Sequence, residues 1–435
     1  MSVLSSQNYL MEKDSTFCSK GTASMHLVRN LTIPPFSSIT DDEYRGTSEF
    51  QVGFDDGVKW LLRVPRQDHR SPASDLEALV VSSEVTTLGI LKKGGIKVPD
   101  IWVPQKIAQG AAPGNYFFQE FVNGSEILFD AFATGLISTS NALYEDVVLH
   151  YIGLSNIKRN VKGIGSLYPS GDADYVLPIS RRGSFMRPEA PYFFGPFRTL
   201  RDQYLAHIQQ LIEYTLDIGY IAVLRSPIHC ILLLLELRDL VKDCELLAKE
   251  EDEFLIHHGD LNIGQCLKNE KGGIASVLDW DWSFTHNYQG RSLRITFLQY
   301  APMRGMLFQQ HGRSDLAGCI LQGRIYLRIN EALSLESPYP MFYLEDPGPI
   351  IGIRSAFRDL GQKGVGGHVE SLEEWQREGL GKYENEVVLA EMKTRHTEWE
   401  ELNERGVDMS ESEMEEVFEK ELALVEAARK EAKVD

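Results

Sequence analysis

Apolar and polar residues alternate at Phe50, Val52 and Phe54, and a second run, Val58–Val64, follows an Asp56-Gly57 pair and stops at Pro65. A period of two marks half-buried strands, and Asp-Gly is a turn pair, so this stretch reads as two antiparallel strands. The period then lengthens. Leu76, Leu79, Val80, Val85, Leu88 and Leu91 recur near helical spacing, which predicts a helix over Ser74–Lys92 ended by Gly94-Gly95. Ile96–Ile101, with Pro99, returns to extended chain, and Tyr116–Val122 is an apolar strand that breaks at Asn123-Gly124.

Downstream the pattern is mostly helical. Helices are expected over Ser138–Ile152, Thr199–Asp217, Ile228–Lys249, Leu316–Leu335 and Ile351–Leu360. Asn156–Arg187 is irregular, punctuated by Gly165, Pro169, Gly171, Pro178 and Gly183. Gly361–Gly367 reads as a flexible break, and Glu370–Asp435 as a Glu/Lys/Ala-rich helix with sparse apolar points such as Leu402, Phe418 and Leu422. Met1–Thr40 has little periodicity and reads as a loose lead-in.

One helical stretch runs into the segment around which the chain is organised, Ile256–Trp282. The apolar run Phe254-Leu255-Ile256 ends in His257-His258-Gly259-Asp260. A hairpin is expected next, with strands at Gln265–Lys268 and Ile274–Leu278 and a turn at Glu270–Gly273; the second strand ends in Asp279-Trp280-Asp281. Folding back in this way would bring Asp260 and Asp279 to one edge. Two such carboxylates suit phosphoryl transfer, one accepting a hydroxyl proton and the other holding Mg²⁺. An ordinary hairpin with acidic ends fits the same residues.

Composition narrows the classes. The 435 residues are enough for roughly two to three cores. A net charge of −19 argues against a general nucleic-acid binder. The charge is uneven: from Glu370 onward 21 acidic residues face 9 basic ones. That acidic helix is either a solvated surface or a contact for a protein partner. Cys18, Cys230, Cys244, Cys266 and Cys319 are scattered, odd in number and lack metal-ligand spacing, a pattern of reducing compartments. The greasiest stretch, Ile218–Val241, carries Arg225, Pro227, His229, Glu236 and Arg238, so it reads as a buried helix and no membrane association is expected. The first thirty residues lack the apolar run of a secretory signal, and the cytoplasm is the default location.

The stretches DDGVKWLLRVP, SSEVTTLGIL with IKVPDIW, FFQEFVNG, and HHGDLNIGQCL with VLDWDW occur in order between Gly46 and Trp282. Together they resemble the aminoglycoside phosphotransferase and choline kinase-like superfamily, especially its fungal members of unassigned substrate. The resemblance implies an α+β, two-lobed protein-kinase-like fold: a small antiparallel-sheet lobe with one main helix and a larger, mostly helical lobe. The divisions it suggests are a lead-in at 1–40, a nucleotide-covering lobe at 41–119, a hinge at 120–124, a helical lobe at 125–360, and a break with an acidic tail at 361–435.

The resemblance also implies roles. Asp260 would be the catalytic aspartate, with His258 holding the loop backbone beside it. Asp279 would chelate Mg²⁺, and Arg63 would occupy the position of the phosphate-binding cation, paired with Glu84. Glu120, Phe121 and Val122 would form the hinge that reads adenine, and Gly46 to Ser48 the nucleotide-covering loop. His257, Trp280 and Trp282 read as packing residues. ATP and Mg²⁺ are the implied cofactors, and a small hydroxyl-bearing molecule the implied acceptor.

Two departures bear on activity. Where the family has a metal-ligating asparagine five residues after the catalytic aspartate, this chain has Gln265, whose extra methylene moves the amide oxygen by about 1.5 Å against a metal that demands near-ideal octahedral geometry. Asn262 is a possible compensating ligand. Arg63 stands where many kinases of this fold have lysine, exchanging a point charge for a planar fork. A catalytically impaired pseudokinase that binds nucleotide or a protein partner is the alternative expectation.

Overall fold

The computed structural model describes residues 10–11, 26–27, 47–53, 57–65, 74–103, 116–126, 141–157, 161, 163–170, 173–177, 179–180, 193–216, 227–250, 254–259, 263–287, 301–322, 324–333 and 347–404. Strands β1 (Thr47–Gly53) and β2 (Lys59–Pro65) pair antiparallel from Thr47 opposite Pro65 to Gly53 opposite Lys59. Gly57 sits between them at φ 83°, a left-handed conformation that costs glycine nothing. With β3 (Ile101–Trp102) and β4 (Phe117–Glu120) they make a four-stranded antiparallel sheet in the order β1-β2-β4-β3.

Helix α1 (Ser74–Lys93) lies between β2 and β3 in the chain. It stops where the glycine pair predicts. Ile96 N–H donates to the Leu91 carbonyl at 3.0 Å and Gly95 N–H to that of Lys92 at 3.0 Å, with Gly95 at φ 77°. That is a Schellman ending, which satisfies carbonyls the helix would otherwise leave open. The buried side of α1 is mixed: Leu88 and Leu91 pack in the core, and Ser83, Glu84 and Thr87 are buried beside them.

After residues 121–124 the chain adds β5 (Ser125–Glu126) and becomes mainly helical. Helices α2 (Asn141–Asn156), α3 (Leu200–Leu216) and α4 (Pro227–Lys242) supply much of the hydrophobic core, which is continuous with Leu88, Leu91 and Phe117 of the sheet unit. Ile231 to Leu235 on α4 are all essentially inaccessible, as a helix apolar on every side must be. The fold is therefore α+β with a small sheet unit and a larger helical unit, the two-lobed arrangement expected.

Several details differ from the sequence reading. Within the stretch read as irregular, β6 (Ser166–Ser170) and β7 (Ala173–Leu177) form a regular antiparallel hairpin, and β6 packs against α1 with Leu167 fully buried. The helix after residue 227 stops at Lys242, and residues 245–248 are turns. Helices α5 (Ala301–Gln310), α6 (Ser314–Gln322), α7 (Arg324–Leu333) and α8 (Gly348–Asp359) come later in the chain; Leu316–Leu335 is thus two helices rather than one.

The largest difference is at the C-terminal side. Gly361–Gly367 is held in place, with Gln362 Nε2 donating to the Leu240 carbonyl at 2.9 Å and Val365 packed on the core. Helices α9 (Leu372–Lys382) and α10 (Val387–Glu404) pack on α4, burying Trp375, Tyr383, Leu389 and Met392. The first half of the acidic segment is thus built into the helical unit; residues 405–435, with Phe418 and Leu422, lie outside the described residues. Of the lead-in, the described residues form one short pairing, Leu10–Met11 with His26–Leu27. Among the described residues no helix is long and apolar enough to cross a membrane.

Candidate functional site

The expected hairpin is present. Strands β9 (Cys266–Lys268) and β10 (Ile274–Val277) pair antiparallel, and β5 adds a third strand on the outer side of β9. The turn is held by Asn269, whose Oδ1 accepts from Lys271 N–H at 2.9 Å and Gly273 N–H at 3.1 Å. Asp146 on α2 accepts the Ile274 N–H at 2.8 Å and pairs with Lys97 at 2.7 Å. Val277 N–H in turn donates to the Lys97 carbonyl at 2.8 Å. The strand leading to Asp279 is therefore tied both to the helical unit and to the loop after α1.

Beside the hairpin, β8 (Phe254–His257) pairs with β11 (Phe284–Asn287), with His257 opposite Phe284. This brings the two motifs together from their flanks. His258 is buried and its Nε2 donates to the Leu278 carbonyl at 2.8 Å, while its ring lies 4.4 Å from that of Trp280. Burial pushes the His258 pKa down to about 4, so at neutral pH the ring is uncharged. It holds the loop by a hydrogen bond and cannot serve as a proton donor to solvent there. His257 Nδ1 accepts the Gly259 N–H at 2.9 Å. Gly259 has φ 87°, and a Cβ there would collide with the Trp282 carbonyl, so only glycine lets His-Gly-Asp lie this close to Asp-Trp-Asp-Trp. Asp260, the next residue, and Asn262 lie outside the described residues.

Asp279 is the one non-glycine residue among those described with a positive φ, 64°. Aspartate tolerates this region better than most side chains, and such strain persists where surrounding contacts over-determine it. The contacts here are with Arg63. Its Nη1 donates to Glu84 Oε1 at 2.7 Å and its Nη2 to Asp279 Oδ1 at 3.0 Å, while Gln119 Oε1 lies 3.5 Å from Nη1. The Phe117 ring lies 5.8 Å from the guanidinium carbon. Arg63 and Glu84 are 2% and 1% exposed; the Asp279 side chain is 40% exposed. A second tie joins α1 to the same segment: Ser283 and Thr87, both buried, share a hydroxyl hydrogen bond of 3.1 Å.

The structure thus brings Arg63, Glu84 and Asp279 into one cluster. Gln265 is buried, and its backbone carbonyl accepts the Leu278 N–H at 2.8 Å, which sets its main chain beside the approach to Asp279. An aspartate carboxylate and a glutamine amide are hard oxygen donors of the kind Mg²⁺ takes, and Asp279 already accepts a cation. Among the described residues no group of three or more His, Cys, Asp or Glu side chains could hold a metal.

The remaining expected residues are placed as follows. Ser48 is in β1 opposite Val64, and Gly46 lies outside the described residues. Glu120 ends β4, and its carboxylate accepts the Asp100 N–H at 3.0 Å, so that side chain is committed to the loop after α1. Phe121 N–H donates to the Lys59 carbonyl at 3.3 Å, and Lys59 Nζ lies 5.4 Å from the Phe121 ring; Val122 is half-buried. Trp280 is fully buried and Trp282 half-buried. Sequence reasoning missed Gln119, Thr87, Ser283 and the Lys97–Asp146 pair. Of these, only Gln119 had a usable signal, as a polar residue inside an apolar strand.

No family model and no curated protein matches the chain. Solved structures do. One is a thermostable mutant of aminoglycoside phosphotransferase APH(4)-Ia in ternary complex with ADP and hygromycin B, at 15% identity over 75% of this chain and 93% of that one, with a TM-score of 0.41. Another is ADP-bound aminoglycoside phosphotransferase APH(2'')-Ib, at 10% identity over 72% and 90%, with a TM-score of 0.39. A third is macrolide 2'-phosphotransferase type I, at 14% identity over 72% and 87%, with a TM-score of 0.38.

Proposed function

We propose that the chain is a kinase of small molecules, similar to the aminoglycoside phosphotransferases, that transfers the γ-phosphate of ATP to a hydroxyl group. The observation that carries this reading is the Arg63–Glu84–Asp279 cluster, assembled from a strand, a helix and a hairpin end that are far apart in sequence. A buried cation beside a half-exposed carboxylate is what a triphosphate and its metal need side by side.

The residues divide the work. Arg63, oriented by Glu84, stabilises charge on the phosphates. Asp260 accepts or aligns the proton of the acceptor hydroxyl, and His258 keeps its loop in register through Leu278. Asp279 and Gln265 would hold Mg²⁺, which would supply positive charge against that developing on the transferred group. The Glu120–Val122 hinge would bond the adenine edge through backbone groups other than the Glu120 and Phe121 N–H, which already donate to Asp100 and Lys59, and the Gly46–Ser48 segment leading into β1 would cover the phosphates. The acceptor is a small molecule, in keeping with a net charge of −19 that disfavours nucleic acid.

The test is a screen of the purified chain with Mg-ATP against aminoglycosides, macrolides, choline, amino sugars and hydroxylated amino acids, read by mass spectrometry. A phosphorylated product that disappears in Asp260→Ala is expected. No product from any acceptor, together with unchanged background ATPase in Asp260→Ala, would sink the proposal. Gln265 in place of asparagine favours a second reading, a pseudokinase that binds nucleotide or, through its acidic C-terminal segment, a protein. Nucleotide binding that ignores Mg²⁺ in a thermal-shift titration would select it.

A further inference from the structure

We infer that Arg63 is an exchangeable counter-ion that occupies Asp279 until a metal–nucleotide complex arrives, so that metal and nucleotide bind cooperatively. This rests on the nucleotide-binding reading above. The guanidinium divides its two amino groups, Nη1 on Glu84 at 2.7 Å and Nη2 on Asp279 at 3.0 Å. The arms are not equivalent. Glu84 is 1% exposed, and leaving a carboxylate uncompensated there is strongly unfavourable, so that arm holds. Asp279 is 40% exposed, so water can solvate its carboxylate once released, whereas Nη2 of the 2%-exposed Arg63 needs a new acceptor, which the phosphates would supply; that arm is the one that can exchange.

This asymmetry sets the order of events. A divalent cation arriving alone at Asp279 meets a fixed positive charge 3.0 Å from the oxygen it needs. A free nucleotide arriving alone at Arg63 meets the Asp279 carboxylate. Arriving together, each removes the obstacle to the other: the phosphates draw Nη2 away, and the metal takes the carboxylate released. Coupling of this kind is reciprocal, metal strengthening nucleotide binding by the factor by which nucleotide strengthens metal binding. Lysine has a single nitrogen to place between the two carboxylates, and the buried Glu84 would hold it more firmly than the exposed Asp279.

The experiment uses the full chain. Mn²⁺ binding is followed by electron paramagnetic resonance with and without ADP, and ADP binding by calorimetry with and without Mg²⁺, in the wild type and in Arg63→Lys. Expected are weak Mn²⁺ binding by the wild type alone, tightened about tenfold or more by ADP, and Mn²⁺ binding without nucleotide that is about tenfold tighter in Arg63→Lys. Asp279→Asn serves as a second variant should Arg63→Lys unfold: it should bind metal-free ADP more tightly than the wild type and respond little to Mg²⁺. Mg-ADP binding with equal Mn²⁺ affinity in wild type and Arg63→Lys would overturn the exchange alone. ADP affinity indifferent to Mg²⁺ would also overturn it, and no ADP binding by the wild type under any condition would overturn the nucleotide reading with it.

Discussion

Arg63 and Arg354 are assembled from the same parts to opposite ends. Each is a buried arginine holding two carboxylates, one shielded and one open to water. Arg354 sets one whole edge of its fork against Glu236, with Nε at 2.5 Å from one oxygen and Nη2 at 3.1 Å from the other. Its Nη1 also donates to the Gly367 carbonyl at 3.1 Å, Glu378 lies at 3.2 Å, and Trp375 Nε1 donates to Glu236 at 2.8 Å. That network joins α4, α8 and α9 within one packed unit. Arg63 gives a single nitrogen to each carboxylate and spans from β2 to α1 and to the end of β10. Bidentate pairing with every neighbour engaged makes a rivet, whereas a divided fork makes a contact that can change hands.

Breaking the rivet should have the largest effect. Arg354→Ala leaves Glu236 buried without its counter-ion and should cost about 3–5 kcal/mol in denaturant unfolding. Arg354→Lys should recover only part of this, because one nitrogen cannot reproduce the bidentate pair.

The second effect lies in the pH dependence of the loop before Asp260. His258 is neutral when folded, with a pKa of about 4 against 6.5 when unfolded, so the unfolded chain takes up a proton first as pH falls. Stability is full above 6.5 and is lost toward pH 4, by about 3 kcal/mol if the whole difference is expressed. His258→Gln should flatten this part of the profile, measured as the difference between the two proteins' unfolding free energies across that window. An identical slope in both would remove His258 from the account.

Gly259→Ala should follow, at about 2 kcal/mol for the left-handed backbone, with added cost from the Trp282 carbonyl. The smallest change in stability, and the sharpest contrast, comes from the two exposed arms. Glu378→Ala and Asp279→Ala should each alter stability by no more than about 1 kcal/mol. Only Asp279→Ala should abolish metal-dependent nucleotide binding in calorimetry. Equal effects of the two on binding would erase the distinction between the arginines.

These two clusters also show what a sequence makes legible. Arg63 and Glu84 were visible through the motif stretches DDGVKWLLRVP and SSEVTTLGIL in which they fall. Strand period, Asp56-Gly57 and Gly94-Gly95 act over a few residues, so the small sheet and α1 were readable nearly to their ends. Arg354 sits in α8 and Glu236 in α4, where a charge on a helix reads as exposed or as an interruption; nothing local announces that they meet. The packing of α9 and α10 was missed for a related reason: Trp375, Leu389 and Met392 are too sparse among acidic residues to mark a buried face. Pro169 and Gly171 likewise hid the β6–β7 hairpin, whose regularity comes from packing on α1. At the site, His258, Gly259 and Asp279 were legible as motif residues. The reach of Arg63 across to Asp279 was not, since no periodicity encodes a contact 216 positions away.

The bond from Val277 to Lys97 has a mechanical meaning. The sheet and α1 are joined to the rest covalently through residues 121–124, by this hydrogen bond with the Lys97–Asp146 pair beside it, by the packing of α1 on β6, and by the Arg63–Asp279 and Thr87–Ser283 contacts. A body held at so many places has no free axle to turn on: the small unit is bolted to the helical one, and shifting it would mean parting several buried contacts at once, Thr87–Ser283 among them.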